Sequence, residues 1–537
     1  MKGTGSGGAS SVRRWWSPWR IAGWVCIGLF LAGIARFYDP ATGFTSLVSI
    51  GDKLGNDKVP ALKAVPHYVY EDSYGYDGAY YVQIALDPLL TKPELKSSVD
   101  NLPYRAKRIL LSWTAWLLGG GQPFWIVHVY PLLNVVCWLV LAWLLWRWFP
   151  PDSADNFLRW AGVLFSHGVC MSVRHSLVDG PSLLLVAGAV ALIEAGRRNA
   201  GTALLAVATL GKETSVLALP ALLRWPAGGW RPWLNLAARG VLVVAPLAAW
   251  MLYIRLRLPP ASDGVGLNNF TLPLTGFFEK WIGLIGEFGR DGWMHPLAVT
   301  LVALVALTVQ AAFMLSRWQP ASIWWRVGAP FALLLVMVAE PVWEGYPGAA
   351  TRVVLPLTLA FNVLVPRGRR WLPVLLAGNL SVFAGLAEMA PPLRDFYRLA
   401  GEQRQVAAVV VERGDGWYQT ESDGTNSWRW SKQQAVLRLT NRSKRPLEVR
   451  MSAAIGALSN RHMEFRVNGR ATFAAPIERR GQRHEFPLFV LPPGTTLVEF
   501  ATDQPAARPA SGDPRELSLS IGNVVIAVAP AGDAGPP

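Results

Sequence analysis

The amino-acid sequence opens with long apolar runs and closes with a polar stretch in which apolar residues alternate with polar ones. A helix needs about 20 apolar residues to cross a bilayer, so these runs predict a polytopic α-helical membrane protein. Eleven runs come near that length, at about 19–38, 123–147, 157–173, 177–195, 200–211, 213–224, 234–256, 294–315, 325–340, 349–365 and 371–389. The stretch 200–224 is either two short helices that meet at Gly211–Lys212–Glu213 or one helix with a charged kink.

The polar stretch, residues 395–530, has the pattern of a separate all-β domain. Apolar residues alternate in Ala435–Leu439, Met463–Val467 and Leu517–Ile521, as in strands with one buried face. Turn residues separate these segments, at Asn468–Gly469, Pro492–Pro493–Gly494 and Gly522–Asn523. The pattern predicts an antiparallel sandwich after a membrane domain at 1–394, with a disordered tail at 531–537.

Composition and charge support a membrane protein and give its orientation. The chain is 52% hydrophobic and only 16% charged, with 26 Trp, which excludes a cytosolic enzyme and a disordered protein. In the eleven-span prediction every cytoplasmic connection carries at least two Arg, so the formal charge of +15 indicates topology and not a nucleic-acid partner. The N-terminus is then cytoplasmic, and the C-terminal domain lies outside. Cys26, Cys137 and Cys170 lie in apolar runs without metal-ligand spacing.

The first outside loop, 39–122, holds the densest candidate chemistry. Residues 70–81 contain three acids and five Tyr, followed by a short amphipathic pattern that would lie on the membrane. Asp77 would begin that helix, and the alternative to a functional role is a capping carboxylate beside interfacial aromatics. Arg105 and Arg108 follow at helical spacing and could clamp a phosphate, or could form ordinary ion pairs.

Several motifs together resemble bacterial members of the GT-C glycosyltransferase superfamily, which take sugars from polyprenyl-phosphate carriers. The motifs are Tyr76–Asp77–Gly78, Tyr104–Arg105, Asp179–Gly180–Pro181, Lys212–Glu213–Thr214 and Thr351–Arg352–Val353. The resemblance implies a multi-pass protein of the bacterial inner membrane with a periplasmic active site. It also implies transfer of a hexose or pentose to a cell-envelope glycan, lipid or protein acceptor, with inversion at the anomeric carbon.

In that superfamily an acidic residue of the first outside loop is the catalytic centre, which here corresponds to Asp77, with Glu71 or Asp72 assisting. A carboxylate there would take the acceptor's proton, and cations would stabilise the leaving phosphate. The candidate substrate-binding residues are Arg105, Arg108, Asp179, Lys212, Glu213, Glu344 and Arg352. No cofactor is required. Some relatives use a divalent cation, Mg or Mn, for which Asp72 and Asp77 are candidate ligands, although the spacing does not demand one.

Other interpretations stay open at this point. A non-enzymatic lipid-glycan flippase would have the same spans, with charges along a path, and an assembly protein would act only through its β-domain. For Asp179 the sequence favours a helix cap over a ligand, and Lys212 with Glu213 could form a mutual structural ion pair. The Trp residues 417, 428 and 430 of the β-domain could stack on a glycan or pack in its core.

Overall fold

The structure is a computed structural model that divides into a helical unit and a sheet unit. It describes residues 17–39, 42–53, 58–70, 73–226, 228–258, 267–291, 295–343, 349–392, 397–401, 409–423, 426–510 and 512–531. Among these residues, the helical unit lies within Met1–Arg36, Leu47–Val65 and Asp72–Ala390. The sheet unit lies within Phe37–Ser46, Pro66–Glu71 and Pro391–Pro537. The predicted tail at 531–537 lies outside the described residues, except for Ala531.

The helical unit alternates long helices with short ones. The α-helices are Pro18–Ala35, Pro60–Lys63, Asp77–Leu86, Glu94–Ser98, Leu102–Arg105, Leu110–Leu118, Pro123–Leu145, Ala154–Leu164, His167–Arg174, Asp179–Glu194, Arg198–Gly211, Arg231–Arg257, Thr275–Asp291, His295–Ser316, Ile323–Met337, Glu340–Trp343, Ala349–Val353, Leu355–Leu364, Leu372–Gly378 and Ser381–Glu388. The 3₁₀ helices are Thr45–Val48, Glu213–Leu222 and Leu267–Asn269.

The prediction of eleven full spans is wrong in number. Among the described residues, four helical segments are long and apolar enough to cross a membrane: Pro18–Ala35, Pro123–Leu145, Arg231–Arg257 and Leu297–Ser316. Further apolar segments are shorter, at Glu213–Leu222, Ile323–Met337, Leu355–Leu364 and Leu372–Glu388. The long apolar helices are those of a membrane protein.

Breaks in the helices explain the lower number. The run at 157–173 is interrupted at Phe165–Ser166, and the run at 349–365 is interrupted at Val354. The stretch 200–224 consists of two segments, because Lys212 is extended (φ −158°, ψ 127°) between an α-helix and a 3₁₀ helix. Such breaks are tolerated at membrane depth where surrounding protein satisfies the freed backbone groups.

The helix Asp77–Leu86 is buried nearly all round, whereas the sequence predicted an amphipathic helix on the membrane surface. Eight of its ten residues, Gly78, Ala79 and Tyr81–Leu86, are buried. Its polar Gln83 is fully buried and has partners: its side-chain oxygen accepts from the Val59 amide, and its nitrogen donates to the Ala79 and Ser98 carbonyls. The helix therefore belongs to the core of the helical unit, and its N-terminus is held in a fixed place.

The sheet unit is a two-sheet sandwich, as the alternating pattern predicts. Its strands are β1 (Tyr397–Gly401), β2 (Val409–Arg413), β3 (Trp417–Ser422), β4 (Ser427–Ser431), β5 (Gln434–Asn441), β6 (Leu447–Ala457), β7 (Arg461–Val467), β8 (Arg470–Ile477), β9 (Gln482–Glu485), β10 (Phe489–Leu491), β11 (Gly494–Thr502) and β12 (Leu519–Pro530). In the described part of the chain, seven strands form one sheet, with β10-β6-β12-β4-β3 in order, β1 beside β12 and β9 beside β6. The other sheet has the order β2-β5-β11-β7-β8.

The core of the sandwich comes from the inward-facing side of each alternating strand. Leu437, Phe465 and Phe500 of the five-stranded sheet belong to the same buried cluster as Val449 and Ile526 of the other sheet. Pairing is antiparallel throughout the described ladders, except that β1 runs parallel to β12.

The predicted turns are confirmed at two positions and wrong at the third. Asn468 and Gly469 join β7 to β8 with φ values of 50° and 78°, which is the geometry that favours Asn–Gly in hairpins. Pro492–Pro493 precedes β11. Gly522–Asn523 lies inside β12, where the register with β6 shifts between Gly522 and Val525. A β-bulge also accepts a positive φ, and Asn523 has a φ of 47°. The dipeptide therefore marks a bulge here and not a turn.

Candidate active site

Asp77 is the first residue of its helix, and Tyr76 is the N-cap. The Tyr76 backbone is extended, with φ −148° and ψ 178°, and the Tyr76 side chain makes no capping hydrogen bond. The predicted capping role of Asp77 is therefore wrong. A carboxylate in the first turn is nonetheless favourable, because the helix N-terminus carries partial positive charge. The Asp77 side chain is 22% exposed, so it lies at the edge of the buried helix.

Arg105 holds two carboxylates at once. Its Nη1 lies 2.8 Å from Oδ2 of Asp77, and its Nε and Nη2 donate to Asp100 at 3.0 and 2.8 Å. Burial alone would lower the pKa of Arg105, but the Asp77 and Asp100 carboxylates raise it above its usual value. The guanidinium also lies 5.2 Å from the ring centre of Tyr80. Arg105 is thus a permanently charged group in contact with the candidate base.

Asp179 is the shared counter-ion of two distant cations. Its Oδ1 pairs with Nζ of Lys212, and its Oδ2 lies 3.2 Å from Nη1 of Arg352. All three side chains are at most 8% exposed. Asp179 occupies the first position of the helix Asp179–Glu194, with Val178 as N-cap, so the capping interpretation does not describe it. The structure thus joins three predicted residues from three separate segments.

Arg352 continues this network to the residue before Asp77. Its Nη2 donates a hydrogen bond to the hydroxyl of Tyr76, and its guanidinium lies 5.2 Å from the centre of the same ring. Burial raises the pKa of the Tyr76 hydroxyl, with Arg352 opposing the shift and Asp77 adding to it. Tyr76 therefore stays neutral and connects the Asp77–Arg105 pair to the Asp179 network.

Arg108 and Glu213 form a second, bidentate ion pair. Nε and Nη2 of Arg108 donate to the two carboxylate oxygens at 2.9 and 2.7 Å. Two further N–H groups of Arg108 donate to the hydroxyls of Tyr81, at 2.9 Å, and Tyr104, at 3.0 Å. Since Glu213 pairs with Arg108 and Lys212 pairs with Asp179, the mutual Lys212–Glu213 pair is wrong. The two neighbours in sequence instead anchor two different cation–carboxylate pairs.

Backbone contacts fix the place of Tyr76 and Asp77. Gly75 has a φ of 70°, which a residue with a side chain would adopt only with strain. A Cβ on Gly78 would overlap the carbonyl oxygen of His175 and would lie 2.8 Å from that of Val48. His175 in turn bonds through Nδ1 to the Ser49 hydroxyl at 2.7 Å. The start of the helix is thereby packed tightly against the backbone at Val48 and at His175.

Burial separates the charged residues into an inner and an outer group. The inner group, Asp179, Lys212 and Arg352, has side chains of 4, 6 and 8% exposure. The outer carboxylates of Asp77, Glu213 and Asp100 are 22, 31 and 39% exposed. The outer pairs can therefore be reached by an incoming ligand, and the inner group serves as support beneath them.

The predicted site residues are brought together wherever the structure describes them. These are Asp77, Arg105, Arg108, Asp179, Lys212, Glu213 and Arg352. The candidates Glu71, Asp72 and Glu344 lie outside the described residues. Within the described ranges, no group of three or more His, Cys, Asp or Glu side chains is arranged to hold a metal ion.

The sequence does not predict several residues of the site. The predicted arginines bond to Asp100 and to the hydroxyls of Tyr76, Tyr81 and Tyr104, for which the sequence suggests no role. The Tyr-rich composition of 70–81 was the one available signal. It did not distinguish a hydrogen-bonding Tyr from an interfacial one.

Comparison with known proteins gives low similarities. No protein family profile matches the chain, and no curated protein matches it. A ruminal GH26 endo-β-1,4-mannanase shares 14% identity over 22% of this chain and 21% of its own, with a TM-score of 0.14. A Podospora anserina GH26-CBM35 β-(1,4)-mannanase shares 10% over 24% and 29%, with a TM-score of 0.17. Arabinosyltransferase EmbB from Mycobacterium smegmatis shares 10% over 93% of this chain and 64% of its own, with a TM-score of 0.26. Similarity at this level leaves the functional argument to the site itself.

Proposed function

We propose that this protein is a membrane glycosyltransferase that transfers a sugar from a polyprenyl-phosphate donor to a cell-envelope acceptor, with Asp77 as general base. The observation that carries the proposal is the convergence of four cations and three further carboxylates on one partly exposed aspartate, Asp77. Charges buried at this density are costly and mark functional sites more often than structural ones. The motif resemblance to GT-C enzymes supplies the donor class.

The general-base role follows from what Asp77 can do chemically. The acceptor hydroxyl must lose a proton as it attacks the anomeric carbon, and a carboxylate within hydrogen-bond reach can accept that proton. The Asp77 carboxylate lies 2.8 Å from Arg105, and its side chain is partly exposed. Because its helix is buried, the carboxylate keeps one position, which reduces the reorganisation needed during transfer.

Arg105 is the group best suited to receive the donor phosphate. It already binds carboxylates through three nitrogens, and phosphate oxygens present the same acceptor geometry. A phosphate bound to part of this guanidinium would compete with Asp77 for its N–H groups. Donor binding would thus free the Asp77 carboxylate to contact the acceptor hydroxyl.

The inner group would set the electrostatic environment of this reaction. Asp179 balances one of its two cations, so Lys212 and Arg352 together keep an excess positive charge behind Tyr76. Positive charge held in a poorly hydrated place stabilises the phosphate that leaves. The motif resemblance to GT-C enzymes implies a site on the periplasmic side, which the donor would enter from the bilayer.

The test is sugar transfer by Asp77→Asn in proteoliposomes supplied with a labelled polyprenyl-phosphate sugar. We expect the rate to fall by about 10²–10⁴-fold, since an amide cannot take the proton. Asp100→Asn is the matched control, because Asp100 shares Arg105 but is not the proposed base. Transfer by Asp77→Asn at the wild-type rate would exclude the base assignment. Movement of labelled donor across the bilayer without glycosidic-bond formation would identify a flippase instead.

A further inference from the structure

The seven-stranded sheet of the sheet unit carries a groove on its outer face, with a volume of about 420 Å³. Three adjacent strands, β6, β12 and β4, form its base and one wall. Ladder pairing aligns Trp430 with Ser520 and Gly456 in one row, and Trp428 with Gly522 and Ala454 in the next. Successive residues of a strand face opposite sides, so each row places an indole beside two small side chains.

The two indoles are positioned by their surroundings. Trp428 donates its indole N–H to the Glu421 carboxylate at 3.2 Å, which fixes the plane of the ring. Both Trp428 and Trp430 are half-buried and line the groove. Trp417, which the sequence grouped with them, packs against the sandwich core and donates to the Val436 carbonyl at 2.7 Å. The stacking hypothesis therefore applies to two of the three tryptophans.

Glycines form part of the groove floor, because neighbouring atoms leave no room for a side chain there. A Cβ on Gly522 would lie 2.6 Å from the Ser427 carbonyl oxygen and 2.8 Å from Cβ of Trp428. A Cβ on Gly456 would lie 3.2 Å from Cα of Gly481, which also lines the groove. Glycines at these positions let the strands and the wall approach closely, and they leave a flat surface beside the rings.

Short polar side chains line one end of the groove. Asn523 donates to the Asn426 side chain at 3.0 Å, and Asn426 donates to the Asp423 carboxylate at 3.2 Å. Arg479 lines the groove as well. Amides and a carboxylate offer both donors and acceptors within a small area. Among the described lining residues, Asp423 is the one acid and Arg479 the one base, a balance of charge that does not favour a highly charged polymer.

We propose that this groove binds an oligosaccharide, with sugar rings lying on Trp428 and Trp430 and hydroxyl groups bonded by the Asn426–Asn523 end. Sugar rings present C–H faces that match flat aromatic surfaces, and their hydroxyls match mixed amide and carboxylate partners. The volume is within the range of small-ligand sites, about 300–1,000 Å³. The groove lies wholly within the sheet unit, so this proposal does not depend on the role of Asp77.

The experiment measures binding of hexasaccharides to the full-length protein in detergent by isothermal titration calorimetry. The probes are arabinohexaose, mannohexaose, cellohexaose and maltohexaose at millimolar concentration. We expect at least one to bind, and we expect Trp428→Ala with Trp430→Ala to weaken that binding by about tenfold or more. Ser520→Phe provides a second test, because it keeps both indoles and fills the floor beside Trp430. Leu488→Ala, an exposed apolar site outside the groove lining, is the control that should bind normally.

Three results would overturn the proposal. They are no binding of any of the four probes, binding that survives both groove variants, and a change of oligomeric state in Ser520→Phe that shows a second copy of the chain occupying the groove. All of these readouts measure oligosaccharide binding or oligomeric state and none measures sugar transfer. Failure of this proposal is thereby distinguishable from failure of the Asp77 assignment.

Discussion

Replacement of Asp179 by Asn tests whether one carboxylate is the counter-ion of two buried cations. The substitution keeps the size of the side chain and removes its charge, leaving Lys212 and Arg352 together without the carboxylate that contacts both. Removal of one partner of a buried ion pair costs about 3–5 kcal/mol, because the other charge remains desolvated. We expect a loss of folding free energy in that range for Asp179→Asn.

A surface pair in the same chain sets the scale for comparison. Glu464 pairs with Arg466 at 2.7 Å, but its side chain is 47% exposed. Exposed pairs contribute about 0–1 kcal/mol, since water already solvates both charges. Glu464→Gln should therefore change stability far less than Asp179→Asn, although both substitutions replace a carboxylate by an amide.

The assay is the midpoint of thermal unfolding in detergent, followed by the fraction of protein that remains monodisperse on size-exclusion chromatography. Asp179→Asn should lower the midpoint by several degrees, and Glu464→Gln should leave it nearly unchanged. The double variant Asp179→Asn/Lys212→Met should regain part of the loss, because it removes one uncompensated cation. Equal shifts for Asp179→Asn and Glu464→Gln would refute the reasoning. A double variant whose loss of stability equals the sum of the losses of its two single variants would also refute it.

Three further predictions follow from the outer part of the site. Tyr76→Phe removes the acceptor of an Arg352 hydrogen bond and should slow sugar transfer about tenfold without changing expression, measured as kcat in proteoliposomes. Arg105→Lys keeps the charge but loses simultaneous contact with Asp77 and Asp100, so KM for the donor should rise more than kcat falls. Burial lowers the pKa of His175 well below its usual value of about 6.5, with Arg174 and Arg352 adding to the shift, so the unfolded chain takes up the proton first. Stability should therefore fall as the pH drops below about 6.5, and His175→Asn should flatten this dependence in thermal-unfolding scans.

Some residues of the site could be found from the sequence, because a charged side chain inside an apolar run is costly unless it has a partner or a function. Lys212, Glu213 and Arg352 interrupt apolar sequence, and each proves to lie in the cluster. The partners could not be found in the same way. Lys212 pairs with Asp179 and not with its neighbour Glu213, because the choice depends on how distant helices pack. Sequence spacing carries no information on such long-range pairing.

The fold shows the same division between local and non-local information. Alternation in 435–439 and 463–467 predicted strands correctly, since the period of side-chain direction is a local property. Helix lengths were overestimated, because an apolar run does not reveal a break such as the extended backbone at Lys212. The helix Asp77–Leu86 looked amphipathic from its aromatic spacing. Its Gln83 is nonetheless satisfied by three backbone groups, and two of them, at Val59 and Ser98, lie in segments that the sequence does not place nearby.

The contact at Gly78 has a consequence for how this region can vary. Because the carbonyl oxygen of His175 occupies the space of any side chain at this position, a saturation library should recover only glycine among folded variants. Repacking of neighbours cannot relieve the overlap, since the obstructing atoms belong to the main chain. Efforts to re-engineer the preference of this protein for its ligands must therefore leave residue 78 unchanged and work through the side chains around it.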